Sequence, residues 1–450
     1  MDVVIPEQFR DKQYRTRRAE NWLIIGFLYA LFYMSRYNFS SIAPSLLAHF
    51  HWVKKDLGIF EMIMPLVYGL SVVFNGPIAD RVGGKKAFLF GATGAVLMNF
   101  LFGLSAFYGP SMSKETLKWT LAAIWGANGY FQSFGALSIV KINAQWFHIR
   151  ERGTFAAIFG ILIRFGLILA FSGVPIIIRY IPWYWGFWVP AILVAAIALA
   201  TFVFVKDTPL QAGYSGLDTG EADGADESRI AVTDVLRKVF ASPTMWAIAL
   251  GSMMIGFVRR SVVDAWWPIY LEEVHHVTSG TAWTRQITAW GIALAGIAGG
   301  FAFGISSDRV FKGRRAPVIV IGFLGMALTL GMFWLGDAVS MSTWFAVTCL
   351  VTLSFFVNGA HGMIGGAASM DFGGRKAAAT AAGLFDGMQY LAGAFVGLAV
   401  GYITQGDNGW QHWKLWPIPF ALFGAFVMAF LWNAMPKGSR SAMPKGSQSH

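Results

Sequence analysis

The sequence predicts an all-α membrane protein with twelve transmembrane helices in two pseudo-symmetric six-helix bundles. Three observations carry that expectation. Of the 450 residues, 56% are hydrophobic and only 13% charged, with a mean hydropathy of +0.53, outside the range of ordinary soluble domains. Apolar runs of the roughly 20 residues needed to cross about 30 Å of hydrocarbon recur along the chain. A loop motif also repeats at an offset of 228 residues: Asp80-Arg81 followed by Lys85 and Lys86, then Asp308-Arg309 followed by Lys312, Arg314 and Arg315. Such a repeat marks a duplicated six-helix unit.

The elements follow in order. A basic arm, 1–20, leads into a full-length apolar span at 21–47 with no small-residue cleavage site, so the span is kept. Five more apolar runs, at 58–79, 86–107, 119–146, 153–178 and 183–205, complete a first bundle over 21–205. The segment 206–240 contains DTGEADGADES and loses hydrophobicity, as a linker between bundles does. A second bundle over 241–435 is read from runs at 243–270, 282–306, 316–336, 342–369, 376–404 and 411–435. The tail, 436–450, belongs to a repeated AMPKGS segment and is expected to be disordered.

Charge orients this arrangement. Of 35 Lys and Arg, 23 fall in segments on the side of the two termini, seven on the other side and five within helices. By the positive-inside rule both termini are cytoplasmic, and with no targeting segment the expected location is a bacterial inner membrane. The net charge of +11 is then a topology signal, with membrane lipids and not nucleic acid as its partners. A single cysteine, Cys349, excludes an internal disulfide and a cysteine metal site. HExxH, CxxC, a phosphate-cradling glycine loop and a nucleophile elbow are all missing, so no enzyme, cofactor or metal is expected.

The charges inside helices point to function. Burying one at the bilayer centre costs about 2.5–3.5 kcal/mol even on mild scales, so it faces a cavity, a counter-ion or a ligand. Arg36 shares a helical face with Tyr29, Tyr33 and Ser40. Arg259 and Arg260 diverge by about 100°; Arg260 lies four residues before Asp264, the spacing of an intrahelical pair, which leaves Arg259 for a ligand. Five intramembrane cations (Arg36, Lys141, Arg164, Arg259, Arg260) face only Asp264 and Asp386 in this reading. Two guanidiniums from opposite halves suit an oxyanion, because planar forks bind phosphate or carboxylate bidentately. Arg164 is either a third ligand or the partner of Asp386. Lys141 either joins the site or snorkels to the interface. His361, Gln132, Asn128, Tyr130 and Asn358 are candidates for the rest of a ligand, with His361 also able to titrate near neutral pH. Asp80, Arg81, Asp308 and Arg309 read as gating residues that hold one conformation through helix-end hydrogen bonds.

Paired halves with these loops resemble the major facilitator superfamily, whose halves rock about a midplane site. Within it, YMSRYNF at 33–39 and FVRRSVVDAWWPIYLEEV at 257–274 are similar to the helix-1 and helix-7 motifs of the organophosphate:phosphate antiporter family. YGLS at 68–71, GYFQSFG at 129–135, QWFHIRERG at 145–153, DTPLQAG at 207–213 and RKAAATAAG at 375–383 extend the resemblance over most of the chain. It implies Arg36 and Arg259 as the phosphate ligands. Departures are Val72, Ile163 and Ala293, which stand where family members carry lysine, histidine and a carboxylate, and the added Asp386.

The resemblance implies a secondary carrier, working as a monomer, that exchanges a small phosphorylated organic anion for inorganic phosphate by alternating access. Two alternatives stay open: proton-coupled organic-anion transport through Asp386 or His361, and a transporter-like sensor of sugar phosphates.

Overall fold

The computed structural model describes residues 11–148, 152–214, 241–278, 282–338, 342–364 and 369–433; the side chains of 73, 77, 80, 152–159 and 369–383 lie outside the description. The expected 206–240 linker and 436–450 tail therefore fall largely or wholly outside it. Among the described residues there is no strand, and every expected apolar run is helical.

Two compact units divide the chain. The first comprises Met1–Arg229, Pro268–Ala293 and Gly397–Gln405; the second comprises Ile230–Trp267, Leu294–Val396 and Gly406–His450.

In the first unit the Lys12–Ser41 helix, 30 residues, is capped by the Asp11 carboxylate, which accepts from the Tyr14 N–H at 2.8 Å. Its start is tied down by Tyr14 Oη donating to the Trp146 carbonyl at 2.7 Å and by Asn21 Oδ1 accepting from the Lys206 N–H at 2.8 Å. The Lys54–Val82 helix turns at Gly83, whose φ of +95° favours glycine, into Gly84–Tyr108. Asp207, from the DTPLQAG segment, caps that helix by accepting from the Lys85 N–H at 2.6 Å. The expected 119–146 span is broken at Ser133 into Lys114–Gln132 and Phe134–Trp146. Arg152–Ile168 passes through a π-helical turn, Leu169–Gly173, into Val174–Tyr180, and Trp185–Phe204 follows. An aromatic core of Phe39, Phe60, Phe102, Trp125 and Phe187 joins Lys12–Ser41, Lys54–Val82, Gly84–Tyr108, Lys114–Gln132 and Trp185–Phe204, with ring centroids of 4.9 Å for Phe39–Phe60 and 4.3 Å for Phe102–Phe187.

The helices Pro243–Val258, Ala316–Ala338 and Thr343–Gly362, with residues 294–305 of Trp283–Ile305 and 369–396 of Ser369–Ile403, supply most of the second unit. The last expected span is split at Trp416-Pro417 into Gly409–Leu415 and Ile418–Ala429, because proline cannot donate to the ladder there. Among the described residues, eight helices are long and apolar enough to cross a membrane, against twelve expected. Arg36 and Asn38 make the first expected span polar, breaks shorten the fourth and twelfth, and the second includes side chains outside the description. The Trp185–Phe204 span is only 28% buried, against 67% for Pro243–Val263, so the former faces lipid and the latter is central. Phe74, Leu199, Leu328 and Phe430 are exposed, an apolar surface suited to hydrocarbon.

Candidate functional site

Arg36 is 4% exposed. Its Nε donates to Gln132 Oε1 at 2.9 Å, and its guanidinium lies over the rings of Tyr33 and Tyr68, 4.8 and 4.4 Å from their centroids. The carboxamide orients the cation without neutralising it, and the rings shield it from lipid while stabilising its charge. Tyr29 packs edge-on to Tyr33 at 5.4 Å, completing the expected face. Ser40 turns elsewhere, donating to Glu61 Oε1 at 2.5 Å. Glu61, 5% exposed, is thus a third carboxylate within the spans, beyond Asp264 and Asp386.

A buried amide network sets this geometry. Gln132 Nε2 donates to Ser35 Oγ at 3.2 Å and Asn128 Oδ1 at 3.1 Å. Asn99 Nδ2 donates to Asn128 Oδ1 and the Ser35 carbonyl, both at 3.3 Å, and Asn99 Oδ1 accepts from Asn38 Nδ2 at 2.9 Å. Asn38 continues to the Gly186 carbonyl at 3.1 Å. Because each carboxamide offers both donors and an acceptor, the chain of partners fixes each flip and passes rigidity to Gln132. Asn99 was missed in the sequence; its signal was a lone amide in the apolar run LMNFLF.

Arg164 sits half-buried on the Arg152–Ile168 helix. That helix crosses the first one closely at Gly166, where a Cβ would fall 2.2 Å from the Ala30 carbonyl oxygen and 2.8 Å from Tyr33 Cβ. Lys141 lies away from Arg36: its Nζ donates to the Ala79 carbonyl at 3.1 Å, beside the Asp80-Arg81 helix end, about 13 Å along the rod from Gln132.

In the second unit the expected pairing is corrected. Arg259 Nε lies 2.9 Å from Asp264 Oδ2, so Arg259 is not left for a ligand alone. The reason is a π-helical segment over Arg259–Val263, in which the Asp264 N–H bonds to the Arg259 carbonyl at 3.0 Å. An i→i+5 turn stacks residues five apart, whereas the α spacing assumed from sequence stacks residues four apart. Trp413 Nε1 donates to the Ser261 carbonyl inside that segment at 2.8 Å. Arg259 Nη1 also donates to Gln389 Oε1 at 2.9 Å, and Gln389 Nε2 is 3.0 Å from His361 Nδ1. With its oxygen taken by Arg259, the Gln389 amide donates to His361, whose Nδ1 accepts. Gln389 was missed; it lies one turn beyond Asp386, a polar pair in an apolar helix. Asn358 donates back to the Ser354 carbonyl and Oγ, both at 2.9 Å.

Of the loop residues, Arg81 and Arg309 are exposed, Asp308 accepts from Arg315 Nη1 at 2.5 Å, and the side chain of Asp80 lies outside the described residues. Two further cations, Arg285 and Lys414, are 3% and 0% exposed.

Residues 25–398 match the family model of the Major Facilitator Superfamily. The chain belongs to that superfamily. It is 29% identical to the glycerol-3-phosphate transporter of Bacillus subtilis over 94% of each chain. It is 26% identical to the membrane sensor protein UhpC of Escherichia coli, covering 90% of this chain and 89% of that one, and 26% identical to a probable hexose phosphate transport protein of Chlamydia trachomatis, covering 95% and 94%. These relatives bear out the resemblance to organophosphate:phosphate antiporters. The fold is shared with an inward-facing bacterial homolog of the human lysosomal transporter Spinster, at a TM-score of 0.74 and 13% identity over 97% of this chain and all of that one. A D-xylose-proton symporter gives 0.71 at 15% identity over 93% and 98%. The chain is a multi-pass membrane protein of the major facilitator fold, and the relatives named above are transporters or a sensor, not enzymes.

Proposed function

We propose that this protein is a secondary carrier of a small phosphorylated organic anion, exchanging it for inorganic phosphate, with Arg36 and Arg259 as the phosphate ligands. One observation carries the reading: each unit holds a guanidinium on a glutamine carboxamide oxygen at 2.9 Å, Arg36 on Gln132 and Arg259 on Gln389. The names of the relatives supply the substrate class. A glutamine acceptor fixes the direction of the fork without adding a countercharge of its own. Arg259 exchanges its Asp264 contact for phosphate oxygens on binding, so a filled site compensates for a broken ion pair. Lowering the barrier to rocking only when filled enforces exchange. Asp80, Arg81, Asp308 and Arg309 gate the motion, Tyr29, Tyr33 and Arg164 flank the ligand, and the carrier works as a monomer in a bacterial inner membrane with both termini cytoplasmic.

Proteoliposomes loaded with phosphate should take up labelled glycerol phosphate or hexose phosphate, and Arg36→Lys should abolish most of that flux. Uptake untouched by this change overturns the assignment. The UhpC relative favours a second reading, a sensor of sugar phosphates: ligand-dependent stabilisation without flux selects it. The Gln389 contact with His361 favours proton coupling as a third, which uptake driven by a pH gradient alone would select.

A further inference from the structure

Within the first unit, at the Ser41 end of the first helix, lies a cavity of about 340 Å³ lined among others by Ser41, Ser45, Arg179, Glu272, Thr278 and Arg285. Ligand pockets run from roughly 300 to 1,000 Å³, so this one suits a small molecule. Arg285 dominates it. Only 3% exposed, it donates through Nη2 to the Ser41 carbonyl at 2.6 Å, while Nη1 stands 3.8 Å from Glu272 Oε2, at the outer limit of an ion pair. Its Nε is buried with no acceptor among the described residues. Capping one helix end uses one of five donors, and a buried guanidinium left with spare donors costs free energy that a purely structural role does not recover. Two guanidiniums against one carboxylate leave the lining positive, with hydroxyl donors at Ser45 and Thr278. Burial raises the Glu272 carboxyl pKa, with Arg285 opposing.

We infer that this cavity is a second oxyanion site, separate from Arg36, with Arg285 as its principal ligand for a phosphoryl group. The donor set favours a tetrahedral oxyanion: a planar fork, hydroxyls and a second cation converge, and no aromatic side chain lines the space. Ser41 follows Arg36 by five residues, so the cavity lies about 7.5 Å further along the same helix. It stages a phosphate one and a half turns from Arg36. Inorganic phosphate, an organic phosphate and a phospholipid headgroup share this chemistry.

The test is calorimetric titration of the purified full-length protein in detergent with inorganic phosphate, paired with native mass spectrometry after addition of phosphatidylglycerol. Arg36→Gln should retain one class of phosphate sites, and Arg285→Gln should weaken that class about tenfold or more. Ala48→Glu, at an exposed position on the cavity lining, adds a carboxylate without opening the core and should weaken the same class, which keeps the test alive if the arginine variant does not fold. If phosphate binding does not depend on Arg285 but retained phosphatidylglycerol falls about tenfold in both variants, the headgroup is the occupant. If neither readout moves in a folded variant, the site does not exist. Because Arg36→Gln is scored separately, failure here and failure of the transport reading are distinguishable.

Discussion

Gln132 is the residue on which the Arg36 assignment can be tested most sharply. Replacing it by glutamate places a carboxylate oxygen at the 2.9 Å position now held by a neutral amide oxygen. A phosphate on the open side of the guanidinium would stand about 6.5 Å from that carboxylate, where two unit charges repel by about 2.5 kcal/mol at an effective dielectric of about 20. That is roughly 70-fold in affinity for a monoanion and more for a dianion. Gln132→Leu adds no charge; at Arg36 it removes the orienting bond, which for a charged donor contributes about 1.5–3 kcal/mol to Arg36's placement, and part of that loss is recovered when phosphate takes over the orienting. We therefore expect Gln132→Glu to bind phosphate at least 50-fold more weakly and Gln132→Leu about tenfold more weakly, measured by titration calorimetry of the purified protein. Melting of the unliganded variants controls for the lost Ser35 and Asn128 bonds. A glutamate variant that binds phosphate as tightly as the leucine variant would refute electrostatic recognition at Arg36.

Three further outcomes follow from the same geometry. Asp264→Asn leaves Arg259 without its carboxylate; the ligand-free protein should lose about 3–5 kcal/mol in denaturant unfolding, with phosphate restoring more stability than it adds to the parent. Asn99→Leu removes one partner each from Asn38 and Asn128, which keep the Gly186 carbonyl and Gln132 Nε2, and should cost about 1–3 kcal/mol in all, while raising KM for exchange more than it lowers the maximal rate, because Gln132 loosens. Glu272 has a carboxyl pKa raised by burial, with Arg285 opposing. Its ionisation is disfavoured in the folded state, so stability is greatest below the ordinary carboxylate range and falls as pH rises through it towards the raised value. Glu272→Gln should flatten that slope in a series of melting curves, and an unchanged slope would show that another group carries it.

Much of the site was legible because lipid imposes a one-dimensional rule: a charged or amide residue in an apolar run stands out whatever its neighbours. Arg36, Arg259, Gln132, His361 and Asp386 were found that way, and Tyr33 by helical phase. The same rule also marks Glu61 and Asn99, which sit in apolar runs. Phase failed at Arg259. A pattern of residues cannot announce a π turn, because whether the extra residue is accommodated depends on what accepts the displaced backbone groups, here the Trp413 indole donating to Ser261.

Composition, hydropathy and the repeated Asp-Arg loops determined by themselves that this is a duplicated helical membrane protein with an arginine in the opening helix of each half, since crossing a bilayer demands only length and apolarity of consecutive residues. Tertiary structure alone decided who holds those arginines. Gln132 is 96 residues from Arg36 and Gln389 is 130 from Arg259, separations at which no local period survives. It also decided that Arg285 and Lys414 are buried, because exposure at a helix end depends on which other helix closes over it, and that contact is made by packing and not by any property of the segment itself.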